Sequence, residues 1–267
     1  MRTVAIIQAR MGSVRLPGKV LYELAGRPMI GLMIERLRGG ALFDEIVLAT
    51  GTGSDNDALS DMASSLSISV FRGSEDDVLA RYAGAAKVTR ADVVVRLTGD
   101  CPLADLEVIE AVVARRDADD LDYCTNVHPP TWPDGLDCSA FTIETLERAN
   151  AEAVLPSERE HVVPWMWAQS SLEGGTSLSA ANVPSEQDLS HHRWTVDTGG
   201  DYLMLRALCA QMGPDRFAFA GWRDLVSTLV SHPEIAALNS REVRDTGLAD
   251  SRTRDNAGDA SSEAARD

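Results

Sequence analysis

Short apolar runs alternate along the chain with segments of helical period. Residues 3–9 are apolar apart from Thr3 and Gln8, which predicts a strand buried on both faces. Residues 28–39 carry apolar side chains at Met29, Leu32, Met33, Ile34 and Leu37, a helical period opened by proline and stopped by two glycines. The same reading gives strands over 45–50, 68–71 and 92–97 and helices over 56–66 and 76–87. Strand and helix alternating at this spacing argue for right-handed βαβ units and a mostly parallel sheet. Beyond them the pattern predicts helices over 106–116, 144–153, 158–169, 201–212 and 222–230, and strands over 121–125, 136–142 and 193–197. There is no internal repeat. From Ser240 onward the only bulky aliphatic residues are Val243 and Leu248. Such a segment buries too little apolar surface to offset its ordering entropy, so the expectation is one domain over 1–239 and a disordered polar tail over 240–267.

Composition narrows the function classes. The chain has 267 residues, with 25 Lys and Arg against 41 Asp and Glu, a formal net charge of -16. A surface this acidic repels nucleic-acid phosphate, while leaving room for a local basic pocket that takes a small anion. No apolar run approaches the roughly 20 residues that span a bilayer, and residues 3–7 are too short a core for a signal peptide, so a cytoplasmic, membrane-free protein is expected. Cys101, Cys124, Cys138 and Cys209 show no CxxC pairing and read as buried thiols.

The strongest chemical signal follows the first strand. Gln8, Ala9, Arg10, Met11, Gly12, Ser13, Val14, Arg15, Leu16, Pro17, Gly18 and Lys19 form a loop with two glycines, a serine and three cations at a strand's C-terminal end, where open α/β sheets bind ligands. Glycine lets backbone approach closely, amides and Ser13 can donate to phosphate, and Arg10, Arg15 and Lys19 supply charge. The spacing is neither Walker A nor GxGxxG. Three cations within ten residues of so acidic a chain favour a polyphosphate loop over a plain surface turn. Asp100, after Thr98-Gly99, and Asp197, after Thr195-Val196, also sit at strand ends. Either carboxylate alone fits a helix cap. Together with the loop they fit a Mg²⁺–nucleotide site, because Mg²⁺ takes one or two carboxylates plus phosphates and waters.

Weaker signals follow. Ser74 with Asp77 reads as a cap on the helix after it, the alternative being contact with a base and ribose. Residues 133–137 read as a turn into a strand, and Ser157 with Glu160 as a capping box, with Arg159, His161 and Arg193 able to face an acidic substrate. His191-His192 has no ligand spacing around it for zinc, and the tryptophans read as core and pocket wall. There is no GxSxG elbow, HExxH helix or activated cysteine. The residues suit positioning and charge neutralisation, without a covalent intermediate.

In order and at family-like spacing, residues 6–19, 71–79, 98–103, 133–137, 157–162 and 193–198 resemble the cytidylyltransferases of the spore-coat polysaccharide type, relatives of the acylneuraminate and 3-deoxy-manno-octulosonate enzymes. The resemblance covers roughly residues 3–210. It implies an α/β, Rossmann-like three-layer nucleotidyltransferase fold with a mixed, mostly parallel central sheet. It further implies Mg²⁺-dependent transfer of CMP from CTP to an acidic sugar or similar small anionic acceptor, releasing pyrophosphate. Carried onto matching positions, the run from Gln8 and Ala9 to Lys19 holds the triphosphate, and Gly73, Ser74, Asp77, Arg81 and Thr98 complete the nucleotide site. Asp100 and Asp197 bind Mg²⁺; Arg15, Lys19 and Asp100 are catalytic; Asp134, Asp137, Glu160, His161 and Arg193 face the acceptor. A homodimer is usual among such relatives. Two departures stand out: Ser139 occupies a position where the family carries Glu, and Gly199-Gly200 replaces a Pro-Glu pair. The first touches the acceptor side and leaves a phosphonate acceptor open. A sugar-1-phosphate nucleotidyltransferase and a non-catalytic nucleotide-binding protein are the remaining alternatives.

Overall fold

The computed structural model describes residues 1–244 and 246–263. In chain order it forms β1 (Thr3–Gln8), a small hairpin of β2 (Glu23–Leu24) and β3 (Arg27–Pro28), α1 (Met29–Leu37), β4 (Glu45–Gly51), α2 (Asp57–Ser65), β5 (Ser69–Gly73), α3 (Val78–Thr89), β6 (Val93–Thr98) and α4 (Leu106–Ala118). Then come β7 (Tyr123–Thr125), β8 (Ser139–Thr142), α5 (Ile143–Glu152), α6 (Pro156–His161), α7 (Pro164–Gln169), β9 (Ala180–Asn182), α8 (Gly199–Met212), α9 (Pro214–Phe219), α10 (Trp222–Ser231), α11 (Pro233–Ala236) and α12 (Thr246–Glu263).

Seven strands make one sheet in the order β5-β4-β1-β6-β8-β7-β9. Its first four strands are parallel, β8 reverses direction against both neighbours, and β9 pairs parallel with β7. The expected mixed, mostly parallel sheet is present. Period-2 alternation on the buried strands builds its two faces. Val4, Ile6, Val47 and Val94 pack with Leu79 and Tyr82 of α3 and with Met166 of α7. Ala5, Ile7, Leu48 and Val95 pack with Ile30 and Met33 of α1, Leu59 of α2 and Ile109 of α4. A third cluster joins Met29 and Leu32 of α1 to Leu205, Phe217 and Leu225 around the fully buried Trp194. The four cysteines are free and buried. Among the described residues no helix is long and apolar enough to cross a membrane.

Four expectations need correcting. Residues 193–197 are not a strand, because their amides bond to loops: Trp194 and Thr195 donate to the Asp134 carbonyl, and Val196 donates to that of Asp100. The helix expected over 158–169 breaks at Val162, whose φ of 72 is left-handed, and α7 restarts at a proline that needs no amide partner. The Ser157–Glu160 box is absent: Pro156 opens α6, and Glu158 accepts from the amides of Val154 and Leu155, each at 3.0 Å.

Lastly, the expected disordered tail is α12, packed beside α6. Polar contacts hold it more than apolar ones do. The Ser157 amide donates to Asp255 at 3.1 Å, and the Ser251 hydroxyl, itself buried, lies 3.1 Å from His161 Nε2; among the described residues of the helix only Leu248 joins the core. Asp245 and 264–267 of that expected tail lie outside the described residues.

Candidate active site

The C-terminal ends of β1 and β6 place two loops side by side. The Gly99 amide donates to the Gln8 carbonyl at 2.8 Å, and a Cβ on Gly99 would fall 2.7 Å from the Ala9 Cβ. Only glycine permits this approach. The first loop is tight, with the Met11 carbonyl accepting from the amides of both Ser13 and Gly18. It ends at a short 3₁₀ turn over Lys19–Leu21 that aims Lys19 inward.

Lys19 is the centre of the site. Its side chain is almost fully buried, and Nζ lies 3.0 Å from Asp100 Oδ2 and 2.7 Å from Asp197 Oδ1. Burial works against the ammonium, but the two carboxylates more than offset it, so the Lys19 pKa lies above the ordinary lysine value. Burial likewise raises the Asp100 carboxyl, and Lys19 overcomes this to hold it below the usual range. Around the pair, Arg15 reaches Asp197 at 3.1 Å, and Arg193 reaches the same carboxylate at 3.0 Å. Arg193 also pairs with Asp134 and, at 2.9 Å, with the fully buried Asp201. Asp201 in turn accepts from the amides of Asp197 and Thr198, which fixes the Asp197 backbone. Asp201 was not among the expected site residues, although Thr198-x-x-Asp201 has the spacing of a capping box.

The turn at 133–137 is locked to this centre. Gly135 has φ 110, and a Cβ there would fall 2.5 Å from the Thr195 amide nitrogen. The Asp134 amide donates to the His192 carbonyl.

The residues expected around the base form a neighbouring group. The Met11 amide donates to Asn56 Oδ1 at 3.0 Å, and Asn56 Nδ2 donates to Glu75 Oε2 at 3.1 Å. Arg81, also buried, donates to the carbonyls of Ser74 and Glu75. Burial, with the nearby Arg10 charge adding to it, lowers the Arg81 pKa. Arg10 and Arg81 thus stand with the Glu75 carboxylate beside a loop of amides. Asn56, which joins the two loops, carried no sequence signal, and Glu75 lay within the matching run 71–79 without a role of its own. Asp77 has other work: it caps α3 through the Ala80 amide and pairs with Arg159. Arg159 thus meets Asp77 and Asn150 and is not among the partners of the Lys19 centre.

The acceptor residues divide. Asp134 and Arg193 join the Lys19 centre directly. Asp137 pairs with Arg244, and Glu160 with Arg254 and the Ser251 hydroxyl, so both meet the C-terminal segment. That segment also reaches the first loop, since Arg15 donates to the Thr246 hydroxyl at 2.8 Å. Nothing in the composition of 240–255 announces these contacts.

Among the described residues no three His, Cys, Asp or Glu side chains converge as a metal site. Asp100 and Asp197 nevertheless flank one point, now filled by an ammonium, and two carboxylates suit a Mg²⁺ whose other ligands are phosphates and waters.

The chain is similar to known proteins over most of its length. Residues 4–161 match the family model described as cytidylyltransferase. The spore coat polysaccharide biosynthesis protein SpsF of Bacillus subtilis is 31% identical over 86% of this chain and 95% of its own. A 3-deoxy-manno-octulosonate cytidylyltransferase of Anaeromyxobacter is 30% identical over 72% of this chain and 85% of its own. The solved cytidylyltransferase of Leptospira borgpetersenii superposes with a TM-score of 0.82 at 33% identity, covering 88% of this chain and 97% of that one. With the paired loops, the buried Lys19 and the matched sequence all in agreement, the chain belongs to the cytidylyltransferase family of nucleotidyltransferases.

Proposed function

We propose that the chain transfers CMP from CTP to an acidic sugar, in the presence of Mg²⁺, and releases pyrophosphate. The observation that carries this reading is the convergence of Lys19, Asp100 and Asp197 beside a cationic loop at the sheet's C-terminal edge. The family match and the named substrate of the Anaeromyxobacter relative support the donor and the acidic acceptor.

In this reading an acceptor oxygen attacks the α-phosphorus of CTP, and the bond to the pyrophosphate oxygen breaks in line with it. The protein positions and neutralises. Arg10, with the amides from Met11 to Ser13, holds the triphosphate. Lys19 leaves its carboxylates to pair with phosphate, and Arg15 meets charge developing on the leaving pyrophosphate. Asp100 and Asp197 are then open to hold Mg²⁺, which when bound draws charge from the phosphate oxygens. Arg193 keeps Asp197 and Asp134 oriented throughout.

Thermal stability in CTP, UTP, ATP and GTP, with and without Mg²⁺, tests the donor. A nucleotide at ~100 times its Kd should stabilise by ~2.7 kcal/mol. A Mg²⁺-dependent shift with CTP alone is expected, followed by pyrophosphate release with an acidic acceptor. A shift with another nucleotide and none with CTP would overturn the reading.

A further inference from the structure

Arg96 stands apart from the site described so far. It lies on β6, two residues before Thr98, in register with Ile6 of β1 on one side and Ser139 of β8 on the other. Among the described residues it has neither a hydrogen bond nor an ion pair, and its Nε is buried without a partner. Arg96 as a whole is part-buried, and its Nε has lost water without gaining a partner, a cost that a bound acceptor atom would relieve.

The neighbouring side chains do not satisfy it. Trp167 Nε1 donates to the Tyr123 hydroxyl at 2.8 Å, which lies 2.9 Å from Ser139 Oγ; Ser139 Oγ is 2.9 Å from Thr125 Oγ1, and Thr125 donates to the Cys138 carbonyl. With one hydrogen per hydroxyl, the direction of this relay is fixed: Tyr123 gives to Ser139, and Ser139 to Thr125. The relay ends on backbone and offers Arg96 no negative charge.

Position supplies the ligand. Alternation puts Arg96 on the same sheet face as Gln8 and Thr98, whose Cα atoms pair one row nearer the strand ends, about 6.6 Å on. Because β8 runs antiparallel to β6, Asp137 lies on that same outer side of Ser139. Gln8 Oε1 is a second buried polar atom without a partner, and it is an acceptor where Arg96 is a donor. An anion with a hydroxyl beside it complements the two together.

We propose that Arg96 binds the carboxylate of the acceptor, on the sheet face that it shares with Gln8 and Thr98 and on the side towards Asp137. This rests on the cytidylyl-transfer reading and extends it by assigning the group that recognises the acid. The fork of Arg96 suits a carboxylate bidentately, and Gln8, which the resemblance would set on the nucleotide side together with Thr98, takes the adjacent hydroxyl instead.

The test compares wild type, Arg96→Gln and Arg96→Lys, each saturated with CTP. The probes are 3-deoxy-manno-octulosonate, N-acetylneuraminate and glycolate, each against its carboxamide, read by thermal shift. The proposal expects wild type to prefer at least one acid over its amide by about a hundredfold in affinity. Arg96→Gln should abolish that preference while keeping the shift with CTP alone. Arg96→Lys, which keeps charge and volume, should retain part of it, and covers the case in which the glutamine variant does not fold. Three outcomes overturn the proposal: no acid preference in wild type, the full preference persisting in Arg96→Gln, or loss of the CTP shift in a folded Arg96→Gln, which would place Arg96 on the nucleotide. Absence of a CTP shift in wild type is different, since it removes the cytidylyl-transfer reading itself.

Discussion

Lys19 and Asp197 stand 178 positions apart in the chain, yet Nζ of one lies 2.7 Å from Oδ1 of the other. The contact closes a circuit from the first loop to the segment before α8, with Asp100 on its third side. Each charge there is held by the others.

Lys19→Met should lower pyrophosphate release by ~10²–10³, the usual loss when one charge-stabilising contact is removed from a transition state. The fold should survive, read as a cooperative melt. Wild-type turnover in the variant would rule out the role given to Lys19.

Arg193→Leu should cost about 3–5 kcal/mol in urea denaturation, because it strands the fully buried Asp201 without its cation. Arg193→Lys should recover only part, since an ammonium cannot address Asp134, Asp197 and Asp201 as a fork does. A change below ~1 kcal/mol in the leucine variant would show that Asp201 is compensated elsewhere.

His192 predicts a pH signature. Burial, with the charge of His191 adding to it, lowers its pKa from 6.5 to about 4. The unfolded chain therefore binds a proton that the folded one refuses between these values, and stability falls as pH drops from 6.5 towards 4. His192→Phe keeps a ring beside Trp194 and should flatten that window in melts taken at half-unit pH steps. An unchanged slope would contradict the assignment.

Gly135→Ala should destabilise by roughly 2–4 kcal/mol, combining a left-handed residue with a Cβ driven against the Thr195 amide. Gly174→Ala provides the control: its φ of 88 is also positive, but nothing lies within 4 Å of the added carbon. Equal losses at the two positions would mean that the close approach to Thr195 carries no energy.

The central strands were legible because β1, β4 and β6 are largely buried and read as apolar runs, with Arg96 the one break inside that of β6. Asp100 and Asp197 were legible as carboxylates at run ends punctuated by glycine. The segment 193–197 misled because its apolar alternation is real, while its hydrogen-bond partners are loops distant in sequence. Helix α12 was illegible for a related reason: Ser251 and Asp255 hold it through polar contacts with α6, which leave no periodic trace. Arg96 reads as an ordinary strand residue, and only its neighbours across the sheet reveal that it has no counterion among the described residues.

Gly99 seated against the Ala9 Cβ, and Gly135 against the Thr195 amide, leave their loops no slack. Each abutment joins two segments that carry charges of the Lys19 cluster, Lys19 with Asp100 across the first and Asp134 with Asp197 across the second. The spacing of that cluster is thus set by the absence of a carbon atom at two positions.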